Sequence, residues 1–179
     1  MSKGINNGIM VLGDVHGYFG DMNALINKKK PELVLACGDF GYWPRFVNRR
    51  DKLGHVVKMT GPKAGKAKIH FCDGNHEDHA SLKNAPLDGQ LWPNVFYQRR
   101  GSTITLPDGR VVLFMGGAES VDKQYRTEGK DWFPEESITQ ADIDAIPTGK
   151  IDIIVSHTCP MFQQIFITSP KHLASFSRC

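Results

Sequence analysis

Four short segments of the chain set acids, amides and imidazoles directly after apolar runs: Gly13-Asp14-Val15-His16-Gly17, Gly38-Asp39-Phe40-Gly41, Asp73-Gly74-Asn75-His76-Glu77 and Ser156-His157. Asp, Asn and His offer oxygen and nitrogen donors suited to Mn²⁺, Fe, Ni²⁺ or Zn²⁺, and no Cys-x-x-Cys pairing competes for a softer ion. The neighbouring glycines let the backbone turn sharply and leave room for a ligand to approach. Asp14 and His16, two residues apart on a turn, can reach one ion. Two ions about 3.5–4 Å apart, bridged by a carboxylate, activate water and clamp a phosphoryl group for in-line attack. The residues therefore point to a two-metal hydrolase. Neither a Gly-x-Ser-x-Gly elbow nor a Cys/His nucleophile signature is present, and metal-activated water needs neither.

Those residues need a scaffold that brings strand ends together. Apolar runs rich in Val, Ile and Leu recur at 8–12, 32–37, 68–72, 94–97, 102–106, 110–115 and 151–155. Bounded by Gly, Pro, Asn or Asp, they read as strands, and their near-continuous hydrophobicity marks strands covered on both faces. Helical patterns lie at 19–29, with apolar Met22, Leu25 and Ile26, and at 46–59, 78–83 and 137–146. In the last, Thr139 precedes Asp142 by three residues in a cap-like arrangement, and Pro147 and Gly149 stop the helix. Pro107-Asp108-Gly109 reads as a hairpin turn. The pattern predicts an α/β fold with mixed β-sheets flanked by helices, the first strands parallel and the middle ones an antiparallel meander. Ligand sites in such sheets lie beyond the carboxyl ends of the strands, where all four polar clusters converge.

Composition sets the outer bounds. With 179 residues, 40% of them hydrophobic and 23% charged, the chain reads as one globular domain, 1–179, with a packed core. No apolar run approaches the ~20 residues of a membrane span. The first eight residues lack the apolar stretch of a secretory signal, so the expected setting is cytoplasmic, with no membrane partner. A net charge of +3 permits an anionic substrate without implying nucleic acid. Lys28-Lys29-Lys30 and Arg99-Arg100 read as solvated charges without the interleaved aromatics of a nucleic-acid platform. Three of the four cysteines read as buried thiols beside strands. His55, His70, His79 and His172 read as surface or half-buried histidines, and Asp73 and Glu77 as residues that orient or cap a turn. The tryptophans read as packing anchors, with Trp43 the first candidate to line a substrate pocket.

In order and spacing, the four metal blocks resemble the calcineurin-like metallophosphoesterases of bacterial or phage type over roughly residues 8 to 160. Gly116-Gly117-Ala118-Glu119-Ser120-Val121-Asp122 with Arg126, and the stretch 132–136, resemble the same group. The resemblance implies a four-layer αββα sandwich holding two divalent ions, Mn²⁺ foremost with Fe, Ni²⁺ or Zn²⁺ as alternatives. It implies that Asp14 and His16 bind the first ion, that Asp39 bridges both, and that Asn75 and His157 bind the second. His76 would be the catalytic residue over the phosphate, and a metal-bound hydroxide would attack a phosphate mono- or diester. Arg126 or Arg45 would contact the phosphate.

Two departures from the family pattern stand out. Relatives that dephosphorylate proteins carry Gly-Asp-x-x-Asp-Arg-Gly, whereas Tyr42 and Trp43 follow the second block here, which favours a phosphodiesterase or small-molecule phosphatase. No Gly-His-x-His block follows His157, and His172 in Lys171-His172-Leu173 is the one histidine beyond it. Each ion would then be one ligand short, and 162–179 reads as out of register with the family, as in a C-terminally truncated or frameshifted product. Two alternatives follow: an impaired or truncated relative that binds metal or phosphate without efficient turnover, and a metal-dependent nuclease.

Overall fold

The computed structural model describes residues 8–46, 48–50, 56–58 and 61–159. Its strands are β1 (Ile9–Leu12), β2 (Leu33–Cys37), β3 (Asn48–Arg50), β4 (Val56–Lys58), β5 (Lys68–Cys72), β6 (Gln90–Trp92), β7 (Val95–Tyr97), β8 (Thr103–Thr105), β9 (Val111–Met115) and β10 (Ile153–Ser156). Its α-helices are α1 (Phe19–Lys29), α2 (His79–Leu82) and α3 (Gln140–Asp144). None of the described helices is long and apolar enough to cross a membrane.

Two mixed sheets form the frame. The first has the order β1-β2-β5-β7-β6, with β1, β2, β5 and β7 parallel and β6 antiparallel at the edge. The second has the order β10-β9-β8, β10 parallel to β9 and β8 antiparallel to it. Side chains alternate across β5, so Ile69 and Phe71 enter one core and Cys72 the other. The first core lies under α1, whose Phe19, Met22 and Ile26 recur at helical spacing and meet Val34, Phe40 and Phe71. The second core lies between the sheets, where Leu35 and Cys72 meet Val112, Phe114 and Val155. Both cores leave the carboxyl ends of β1, β2, β5 and β10 at one edge. Phe40, completely buried and stacked on Phe71 at 4.3 Å between centroids, anchors the loop that leaves β2. Burying such a ring is worth roughly 1.5–3 kcal/mol.

The mixed α/β sandwich and the parallel first strands are as the sequence predicts. The Thr139 cap is also present, with Thr139 accepting from Asp142 N and the Asp142 side chain accepting from Thr139 N. That cap starts α3 at Gln140, so the helix is shorter than the predicted 137–146. Over the predicted helix 46–59, the described residues form an antiparallel hairpin of β3 and β4 instead. The β-branched pair Val56-Val57 and the helix-weakening Gly54 work against a helix there. Strand β6 has no sequence forecast, being a three-residue edge strand of mixed polarity. Of the cysteines, Cys72 is buried, Cys37 half-buried and Cys159 exposed, so the reading of three buried thiols fails for Cys159, which follows β10 into an open loop. His79 is buried rather than superficial, because its ring reaches back to the Gly74 carbonyl at 3.1 Å. Arg100 is likewise internal, with 8% of its side chain exposed, since Asp73 and Asp142 converge on it. His55 and His172 lie outside the described residues.

Candidate metal centre

Backbone contacts fasten the four strand-end segments to one another. His16 N donates to Asp39 O at 2.7 Å and Gly17 N to Phe40 O at 3.0 Å, laying the loops after β1 and β2 side by side. A Cβ on Gly41 would overlap the Gly17 backbone, and one on Gly74 would overlap the Asp39 carboxylate. Gly38 has φ +81°, and a Cβ there would stand 2.5 Å from the His157 ring. Asp14, His16 and Asp39 adopt left-handed backbone at φ 50°, 46° and 46°. Three non-glycine residues in that region concentrate strain at one place, as functional sites do.

Asp39 is the hub. Its carboxylate is nearly buried, with Oδ2 3.5 Å from His16 Nε2 and Oδ1 3.6 Å from His157 Nε2. Oδ1 also accepts from His76 N at 2.8 Å. Two sets of three donors result, His16 with Asp39 and His76, and Asp14 with Asp39 and His157, each with its ligand atoms within 4.8 Å of one another. Asp14 Oδ1 is also 3.8 Å from His16 Nε2, so these two residues can still share an ion as the resemblance implies. All five expected ligands, Asp14, His16, Asp39, Asn75 and His157, thus meet at one edge with His76.

The hydrogen-bond inventory around His157 tests the fit of a cation. His157 Nδ1 donates to the Cys37 carbonyl at 2.8 Å, which leaves Nε2 with a lone pair. That lone pair faces Asn75 Oδ1 at 3.2 Å and Asp39 Oδ1 at 3.6 Å. Three acceptors therefore converge, with the His76 N–H reaching Asp39 Oδ1 from outside the group, an arrangement that suits a divalent cation. Cys37 does not compete, because burial, reinforced by Asp14, raises its thiol pKa and keeps it protonated.

His76 stands edge-on to His16 at 5.2 Å between ring centroids. Arg126 donates to His76 Nε2 at 2.8 Å, so that nitrogen is an acceptor and the imidazole is neutral. Burial lowers the His76 pKa; Asp39 opposes the shift, while Arg126 and His16 add to it. Arg126 is held by Asp122, whose Oδ2 accepts at 3.0 and 2.9 Å. The side-chain partner of His76 Nε2 is thus a guanidinium. Trp43 lies beneath, donating from Nε1 to the His76 carbonyl at 3.0 Å. Arg45, the other expected phosphate contact, spans Asp78 at 2.6 Å and the carbonyls of Gly129 and Lys130 at 3.1 Å.

Glu77 caps the turn as the sequence suggests. Wholly buried, it accepts from Phe40 N at 2.6 Å, Gly41 N at 3.2 Å and Tyr42 N at 2.7 Å. Burial pushes its carboxyl up to about 8, against the pull of those N–H groups. Asp73 does more than orient a turn: its Oδ2 accepts from Arg100 at 2.6 and 3.0 Å. Arg100 also donates to the Glu136 and Ser137 carbonyls, at 2.9 and 2.7 Å, and so ties the carboxyl end of β5 to the segment that carries Trp132 and Glu136. Ser120, which borders Asn75, and Glu136, which holds Ser120, carry no signal in their residue type; the signal that could have found them is the resemblance of 116–122 and 132–136 to family stretches.

A two-sheet α/β sandwich that gathers carboxylate, amide and imidazole groups at one edge of its strand ends has the form of a metallohydrolase scaffold. The chain belongs to the calcineurin-like phosphoesterase family, whose model matches residues 8–175. The match runs past residue 160, where the resemblance in the motifs stops, and takes in most of the tail read as out of register. A lariat debranching enzyme from Schizosaccharomyces pombe (strain 972 / ATCC 24843) is 27% identical over 132 residues, 66% of this chain. The chain spans 28% of that protein's length.

Proposed function

We propose that the chain hydrolyses a phosphate mono- or diester at a dinuclear centre held by Asp14, His16, Asp39, Asn75 and His157, with Mn²⁺ the first choice of ion. The observation that carries this reading is the Asp39 carboxylate, whose two oxygens face His16 and His157 separately at 3.5 and 3.6 Å. Two bound divalent ions supply a water of lowered pKa and neutralise phosphoryl charge. Around them, this chain's residues bind and orient. Arg126 places a cation beside His76, so the pair can hold the non-bridging oxygens of one phosphate. Once the phosphate draws Arg126 away, the His76 Nε2 lone pair is free to take up a proton from solvent, and that proton is the one His76 would pass to the leaving oxygen. The free thiols Cys37, Cys72 and Cys159 suit the proposed cytoplasmic, reducing setting.

The test is hydrolysis of an aryl monophosphate and a bis-aryl phosphate with Mn²⁺, alongside Asp39→Asn and His76→Ala. His76→Ala is expected to lower kcat by roughly 10²–10⁴-fold. Undiminished activity in both variants overturns the reading. Metal content after dialysis separates the impaired-relative alternative, which expects fewer than about one ion per chain, since a lost direct ligand weakens a site by at least 10–100-fold.

A second reading takes a nucleic-acid phosphodiester as the substrate. It is favoured by the likeness to a lariat debranching enzyme and by two tyrosines beside the site. Tyr18, two residues after His16, is 71% exposed, and Tyr125, next to Arg126, is 83% exposed, leaving both rings open to stacking by bases. This reading predicts cleavage of single-stranded RNA or DNA that depends on Asp39 and weakens with Tyr18→Ala and Tyr125→Ala. Aryl phosphate turnover would be unchanged in both tyrosine variants.

A further inference from the structure

Asn75 is useful to a cation only if its carbonyl oxygen, and not its NH2 group, faces the centre. The two ends of an amide have nearly the same shape, so something must choose between them. The choice is made behind Asn75. Glu136, 1% exposed, accepts from Ser120 N at 2.5 Å, from Ser120 Oγ at 2.7 Å and from Trp132 Nε1 at 3.0 Å. Oε1 already takes the N–H groups of Ser120 and Trp132, and Oε2, 2.7 Å from Ser120 Oγ, takes the one hydroxyl proton of Ser120. Ser120 Oγ then has only lone pairs to offer Asn75. It takes a hydrogen bond from Asn75 Nδ2 at 3.1 Å, and the carbonyl end is left pointing at His157 Nε2, 3.2 Å away. The reverse orientation would set the Asn75 carbonyl against the Ser120 lone pairs and its NH2 group against the cation.

We infer that Glu136 and Ser120 are positioning residues that fix the Asn75 amide with its oxygen toward the metal centre. They act through a one-way chain of hydrogen bonds from a buried carboxylate. The inference rests on the proposed ligand role of Asn75. Ser120 is 3% exposed and Glu136 1%, so neither finds solvent as an alternative partner, while Asn75 in front of them is half-buried.

The test is Mn²⁺ binding to the full 179-residue chain, by calorimetry and by metal content after gel filtration, with circular dichroism reporting the fold. Ser120→Ala frees the amide to turn and is expected to weaken one of the two sites by about 10–100-fold, leaving the other unchanged. Glu136→Gln gives Ser120 a partner that can donate, releases the hydroxyl proton toward Asn75, and is expected to weaken the same site. It also serves as the second test if Ser120→Ala does not fold. The deciding variant is Asn75→Asp placed on Ser120→Ala. A carboxylate presents oxygen at either end, so binding is expected to return, a rescue that a merely structural role for Ser120 would not give. Parent-like binding in both Ser120→Ala and Glu136→Gln, while Asn75→Ala loses a site, overturns the positioning role, as does failure of the rescue. If Asn75→Ala also binds two ions as the parent does, the ligand reading of Asn75 falls, and the inference with it.

Discussion

Asp39 joins the two halves of the centre and also holds the loop that carries His76, so its carboxylate has separable duties. Asp39→Asn keeps an oxygen to accept from His76 N but removes the charge shared between the two ligand sets. The expected outcome is a folded protein that retains fewer than about one Mn²⁺ per chain, checked by metal content beside an unfolding curve. Glu77 has only the structural duty. Glu77→Ala orphans three buried N–H groups at about 1–3 kcal/mol each, so a loss of about 3 kcal/mol or more is expected in urea unfolding. Residues of this kind were legible to different degrees. Asp14, His16, Asp39, Asn75 and His76 stand in glycine-marked turns at strand ends, where type and place together announce metal chemistry. Ser120 and Glu136 are ordinary types, Ser120 lying 45 residues after Asn75 and Glu136 another 16 beyond it, and their meaning appears only when the chain folds. Arg100 was misread as solvated for the same reason: its acidic partners lie 27 and 42 residues away.

The elements matter through where they end. Strands β1, β2 and β5 are short, parallel and in register, so their turns must pass close together, and glycine is what allows the approach. Gly38→Ala adds a Cβ against the His157 ring at φ +81°. It is expected to cost about 1–2 kcal/mol in backbone strain and to reduce phosphoesterase activity together with metal retention. Gly20→Ala is the matched control, since it lies within α1 where an added Cβ meets nothing within 4 Å. That variant should gain about 0.5–1 kcal/mol with unchanged turnover, read from paired melting and kinetic curves. The strand runs could be read directly because apolar stretches bounded by turn residues have few other uses. The 46–59 stretch could not, because its scattered apolar residues fit a helical face as well as a hairpin, and only pairing between β3 and β4 decides.

At the scale of the whole molecule, the core between the sheets has an acid-sensitive histidine at its edge. His70, on the β5 face toward the second sheet, stacks on Phe96 at 5.0 Å between centroids and meets Gln98 Nε2 at 3.0 Å. Burial, with Lys68 adding, lowers its pKa from 6.5 to about 4. The folded protein therefore binds this proton less readily than the unfolded chain does. Its contribution is fully present above about pH 6.5 and is lost as pH falls toward about 4, a change of about 3 kcal/mol. Urea midpoints measured across that range should fall for the parent and fall less steeply for His70→Leu. The left-handed backbone at Asp14 and His16 has a consequence of its own. Glycine tolerates that conformation without strain, so Asp14→Gly or His16→Gly would relax the fold while emptying the centre. Asp14→Gly and His16→Gly are therefore expected to unfold at higher urea concentration than the parent while retaining less Mn²⁺, so at these two positions stability and chemistry pull in opposite directions.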